Sequence, residues 1–307
     1  MKNFMRPSSV TFVSASWACA AACLCSITLL RAQSQEVFVL QNGRTIPAES
    51  VRVSPAGFTA TLTKGAALET VNFTAKDVVR ATLREPREIA EARNLIASEK
   101  PDKALDLLTK AEPALLPYQS IPDSWWLRSA ILRMDALSVQ GKNKEAAAIA
   151  SSDVISKLTP EGATLLKDFQ QAVTPPEKNK GDSKVETLHT LIDRTIDPWL
   201  NARIWLEIGN TLATQGKIED AVKAWLRVAI FSPAERDLAV RGTILAARGL
   251  QQIKCAADGL KLLEDYQSDH LGSPFKETIQ IEAAKLKPKS KTTTTPEDSK
   301  EPAETAK

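Results

Sequence analysis

The stretch NARIWLEIGNTLATQGKIEDAVKAWLRVAIFSP, from Asn201 to Pro233, decides the fold. It follows Asp197-Pro198, a capping side chain and then a proline at the first helical position, where a missing N–H costs nothing. Apolar residues recur at helical spacing through Trp205, Ile208 and Leu212. Gly216 then offers the left-handed conformation that closes a helix. A second helix is expected from about Ile218 to Phe231, and Ser232-Pro233-Ala234-Glu235 reads as the capped start of a third. Gly209 and Ala221 are small where two antiparallel helices approach. Trp205, Leu212 and Trp225 are large where ridges fill grooves. These residues have packing and capping tasks, so the stretch reads as scaffold and not as a cofactor box.

Copies of the pattern lie on either side. GKNKEAAAIA from Gly141 and GKIEDAVKAW from Gly216 both place Gly-Lys at a break, with an acid and then an alanine soon after. EKPDKALDLL from Glu99 is a looser third copy. The aligned alanines, Ala104, Ala146 and Ala221, are 42 and 75 residues apart. A period of about 34 accommodates both spacings with insertions of roughly eight and seven residues. Two further pairs are expected. EGATLLKDFQQAV and KVETLHTLIDRT flank a loop at 174–183. CAADGLKLLEDYQ is followed by SPFKETIQIEAAKL, with Ser273-Pro274 opening the last helix. The sum is about ten helices over residues 85–286.

On these residues the chain resembles the tetratricopeptide repeat family. Trp205, Ile208-Gly209, Leu212, Ala221, Trp225 and Pro233 follow the family signature in order, with Leu212 for the usual Tyr and Trp225 for the usual Phe. The resemblance implies a mainly α fold, an α-solenoid of antiparallel helix pairs with a concave face. It also implies a protein or peptide partner, docked along the first helix of each pair. By match to that helix, Arg203 and Asn210 share one face, and Arg241 on the following first helix joins them. An Arg suits a carboxylate and an Asn a peptide backbone. Leu206 stands where carboxylate-clamping members carry a Lys.

Residues 33–84 read differently. Short β-branched and apolar runs alternate with turns. Asn42-Gly43 signals a type I′ hairpin, Val51–Val53 and Phe58–Leu62 alternate inward and outward, and Ser54-Pro55-Ala56-Gly57 and Lys64-Gly65 supply further turns. About five strands are expected, in a small barrel or rolled sheet. The arrangement resembles the SH3-like or Sm-like barrels at the front of some exported bacterial repeat proteins. Residues 287–307 are Lys, Thr, Pro and Glu with almost nothing apolar, the composition of a disordered tail.

Residues 1–32 hold Lys2, Arg6 and Arg31 and no acid, then an apolar run from about Val10 to Leu30. That is the layout of a signal peptide cleaved after Ala32. An uncleaved membrane anchor is the alternative. The remainder carries 37 basic and 37 acidic residues, without the basic footprint that nucleic acid requires. Export, with the resemblance, implies the periplasm or cell envelope.

Catalytic and cofactor chemistry finds little to build on. His189 and Asp193 are four apart on a helix and read as a surface polar pair. His270 lies in a polar turn, and Cys255 reads as a small buried helical residue. Spacings for metal ligands and a phosphate-binding loop are absent from the sequence. The expectation is a non-enzymatic, exported interaction scaffold without a cofactor. The alternative is a cell-wall or glycan-binding accessory protein using the β-module or an exposed Trp125-Trp126 pair.

Overall fold

The computed structural model describes residues 36–65, 67–176 and 180–287 and divides into two compact units between Arg84 and Glu85. The signal segment with its cleavage after Ala32, and the tail beyond Lys287, lie outside the described residues.

The first unit holds six strands in two three-stranded antiparallel sheets. These are β1 (Val37–Leu40), β2 (Thr45–Pro47), β3 (Val51–Ser54), β4 (Gly57–Lys64), β5 (Ala67–Phe73) and β6 (Val78–Thr82). The sheet orders are β2-β1-β6 and β3-β4-β5. The strand count exceeds the expected five because β2 is only three residues long and ends on Pro47, which has no N–H for a ladder. A 3₁₀ turn, Ala48–Ser50, then carries the chain from one sheet to the other. Phe38 on β1 packs against Phe58 on β4 and Phe73 on β5, with ring centroids 6.2 and 5.9 Å away, so aromatic contact joins the sheets. The Asn42-Gly43 turn is not type I′, since only Gly43 has positive φ, 77°. Asn42 instead accepts the Arg44 N–H at 3.0 Å through its side chain, and Gly43 N–H donates to the Leu40 carbonyl at 2.9 Å. This is a turn followed by a left-handed glycine.

The second unit is helical. Its helices are α1 (Arg87–Ala97), α2 (Pro101–Leu115), α3 (Trp125–Val139), α4 (Asn143–Ile149), α5 (Pro160–Val173), α6 (Gly181–Arg194), α7 (Pro198–Thr214), α8 (Ile218–Phe231), α9 (Arg236–Gln252), α10 (Ala256–Asp269) and α11 (Lys276–Leu286). A single helical turn, Ser152–Ser156, precedes α5.

The hairpin α7–α8 forms as its sequence dictates. Asp197 Oδ1 accepts the Leu200 N–H at 2.7 Å and caps α7. Gly216, at φ 77°, closes it. Gly209 lets the two helices touch, because a Cβ there would lie 2.3 Å from Trp225 Nε1. Ala104, Ala146 and Ala221 are all buried, each near the start of a hairpin's second helix. Two expected caps differ. Helix α9 starts at Arg236 and not at Pro233, because a turn between the Ser232 carbonyl and the Glu235 N–H comes first and the Glu235 carbonyl takes the first helical bonds. Helix α11 likewise starts at Lys276, past a turn in which Ser273 Oγ accepts the Phe275 N–H at 3.3 Å.

Consecutive helices pack on one another, and α1, α3, α7 and α9 also meet: α1 contacts α3 and α9, and α9 contacts α7. Ala97 at the end of α1 shares an apolar cluster with Val240 and Ile244 of α9 and Leu286 of α11. Arg248 on α9 clamps Glu99, in the turn after α1, at 2.6 and 3.0 Å and also donates to Glu282 of α11 at 2.9 Å.

Candidate functional site

Where α1, α3, α7 and α9 meet, a charged cluster stands inside the helical unit. Asp135 on α3 is its hub and is 1% exposed. Arg203 Nε on α7 donates to one carboxylate oxygen at 2.7 Å, and Arg241 Nη1 on α9 donates to the other at 2.6 Å. Arg203 also reaches Glu207 at 3.0 Å and Ser138 at 3.4 Å, so each of its three nitrogens is engaged. Burial works against the charged Asp135, but the guanidinium groups of Arg241 and Arg203 overcome it and hold the carboxyl below the ordinary range. The same contest at Arg203 ends with Asp135 and Glu207 keeping it firmly protonated despite burial. Lys184 on α6 stands nearby. Its ammonium donates to the carbonyls of Gln171 and Ala172, the last turn of α5, at 2.5 and 2.9 Å. Burial, against the opposing pull of Glu207, brings its pKa down to about 8.

A cleft of about 390 Å³ opens beside this cluster and is lined by all three residues expected to form a groove, Arg203, Asn210 and Arg241. Their situations differ. Arg203 is 2% exposed and committed to its neighbours. Asn210 accepts from Trp225 Nε1 at 3.2 Å, and none of the described residues accepts from its amide nitrogen. Arg241 commits Nη1 to Asp135, and its other N–H groups take no partner among the described residues. Thr211 also lines the cleft and has a buried hydroxyl without a partner among the described residues.

Sequence reasoning missed Asp135. The one local signal is an acid within the mostly apolar run AILRMDAL of α3, whose other charge is Arg133.

The signature residues serve packing. Ile208, Gly209, Ala221 and Trp225 are buried, Trp205 and Leu212 are half-buried, and Pro233 lies exposed in the turn before α9. The Arg227 guanidinium sits 4.5 Å from the Trp205 ring, and His189 meets that ring edge-on at 5.5 Å. His189 and Asp193 are both exposed. His270 is not simply solvated in a turn. It stacks on Tyr266 at 4.2 Å, and its Nδ1 lies 2.9 Å from the Tyr266 carbonyl. Cys255 is half-buried at the N-cap of α10, one residue before the helix. Trp126 is buried and Trp125 half-buried, both against the helical core.

Among the described residues, no group of three or more His, Cys, Asp or Glu is placed to hold a metal ion, and no helix is long and apolar enough to cross a membrane. No protein-family model matches the chain, and no curated protein matches it in sequence.

Proposed function

We propose that this chain is a non-enzymatic interaction scaffold, exported to the periplasm or cell envelope, whose helical unit docks a partner protein through an extended segment. We read its hairpins as tetratricopeptide-like repeats. The observation that carries the docking reading is the cleft beside Asp135. There Arg241 and Asn210 keep unused donors in the cleft, while Asp135 holds Arg241 and the Trp225 indole N–H holds Asn210. Unused N–H donors in a cleft suit the carbonyl or carboxylate oxygens of a peptide. Four hairpin turns of like geometry support the repeat reading: Glu99, Gly141, Gly216 and Lys254 all have positive φ. Each is followed by a residue whose N–H bonds back to the last turn of the preceding helix.

The test is affinity capture with cross-linking of the full chain in envelope extract, followed by mass spectrometry. The comparison is with Arg241→Ala and Asn210→Ala, each first shown to be folded by circular dichroism. The same partner should be lost with both variants. Capture that is identical for wild type and both variants would refute the cleft as the docking site.

A further inference from the structure

A second concavity, of about 210 Å³, lies between α1, α3, α7 and the start of α9. Its walls are mostly apolar: Trp125, Trp199, Ile131, Leu132 and Pro198. Glu235 breaks the pattern. It occupies the N-cap position of α9, yet its side chain caps nothing. None of the described residues hydrogen-bonds or ion-pairs with its carboxylate. Burial, and then the neighbouring Asp237, push that carboxyl up from its ordinary range.

The cations in the same wall are already taken. Arg93 Nη2 donates to both oxygens of Glu85, at 2.6 and 2.8 Å. Arg128 Nη2 donates to Asp197 at 2.5 Å. Arg93 Nε is buried and has no hydrogen-bond partner among the described residues, so the ion pair to Glu85 is made through Nη2 alone. Asp237 accepts from Trp199 Nε1 at 3.2 Å. Four carboxylates, Glu85, Asp197, Glu235 and Asp237, thus stand around two guanidinium groups.

We propose that this concavity is a binding site for a small organic cation of the alkylammonium class, seated between Trp125 and Trp199 with its charge met by Glu235. Three alternatives fit less well. A bare metal ion needs several oxygen ligands, and of the four carboxylates here only Glu235 is not already held by Arg93, Arg128 or Trp199. An anion would face Glu235 and find both guanidinium groups engaged. A neutral apolar molecule would leave the Glu235 carboxylate desolvated and unpaired. An ammonium carrying alkyl groups buries its apolar body on the indole, Ile and Leu surfaces while the ring quadrupoles and the carboxylate hold its charge. The site is separate from the cleft beside Asp135, so it does not depend on the docking reading.

The experiment is a calorimetric titration of the full chain with choline and with its uncharged isostere, in which a quaternary carbon replaces the nitrogen. Tryptophan fluorescence is followed in parallel. Choline should bind saturably at one site, and the isostere about tenfold more weakly or worse, a difference of about 1.4 kcal/mol. Glu235→Gln should weaken choline by a similar factor and leave the isostere unchanged, while Arg241→Ala should alter neither. The proposal is overturned if choline and the isostere bind alike, if neither saturates, or if folded Glu235→Gln binds choline as wild type does. The wild-type comparison needs no variant, so it decides even if Glu235→Gln fails to fold.

Discussion

Replacing Asp135 with Asn keeps the shape of the hub and removes its charge. In the wild type its two oxygens meet Arg203 Nε at 2.7 Å and Arg241 Nη1 at 2.6 Å. At charge separations of about 4 Å and an effective dielectric near 20, each pair attracts by roughly 4 kcal/mol. The two losses weigh differently. The Arg241 side chain is 13% exposed and can turn toward solvent, whereas Arg203 is 2% exposed and keeps only Glu207 as a counter-charge. The variant recovers the cost of desolvating Asp135, so the net loss is smaller than the gross attraction. Breaking one side of a buried pair costs about 3–5 kcal/mol, which lowers the melting temperature of a domain this size by about 10 °C.

Urea unfolding followed by helical circular dichroism reads that loss directly. The double variant Asp135→Asn/Arg203→Met removes the stranded charge as well, so it should recover part of the loss. Because Asp135 has a lowered carboxyl pKa in the folded state, its contribution is present above the unfolded Asp range. It is lost as pH falls through the folded value, so the gap between wild type and Asp135→Asn should close below about pH 4. A loss under about 1 kcal/mol at neutral pH, the worth of an exposed pair, would refute the claim that the cluster is desolvated and mutually supporting.

Two further perturbations test the frame around the cleft. Gly209→Ala places a Cβ 2.3 Å from Trp225 Nε1 and must displace the indole from Asn210. Overpacking of about 1–3 kcal/mol and a lost hydrogen bond of about 1 outweigh the roughly 1 kcal/mol that alanine adds to helix propensity. The expected net loss is about 2 kcal/mol, and a variant as stable as wild type in urea would show that the helices do not touch there. Lys184, with its pKa brought down to about 8, is charged in both states at lower pH; between there and its ordinary value near 10.4 the unfolded chain binds the extra proton. Stability relative to Lys184→Met should therefore rise across that window, by at most about 3 kcal/mol. A difference between the two proteins that does not change with pH would overturn the burial of that ammonium.

The hairpins were legible wherever their turns used glycine. Gly141 and Gly216 have φ 74° and 77°, and the sequence marks both breaks. A fourth turn of the same form, before α10, carries no glycine. Lys254 takes φ 66° there, its N–H bonds to the Gln251 carbonyl, and Cys255 N–H bonds to the Leu250 carbonyl. Five residues on, where the other copies carry buried alanine, stands Gly259. A Cβ there would lie 2.8 Å from the Ala247 carbonyl. A left-handed lysine costs about 1–2 kcal/mol, which the surrounding bonds and the close helix approach offset. Residue type therefore gives no warning of the conformation.

The candidate site was half legible for a related reason. Matching first helices drew Arg203, Asn210 and Arg241 to one face, and one cleft does collect them. What divides their roles is Asp135, which is 68 residues from Arg203 and 106 from Arg241 along the chain. A local pattern reports which residues share a helix face. It does not report which faces of separate hairpins meet, and a lone acid on an apolar helix reads the same whether it is buried or solvated. Once Asp135 is placed, Arg203 becomes the residue that holds the frame and Arg241 the one with donors to spare. A partner assay built on Arg203→Ala would therefore confuse unfolding with lost recognition; Arg241→Ala also takes a counter-charge from Asp135, so it is read beside Asn210→Ala, which leaves that cluster intact.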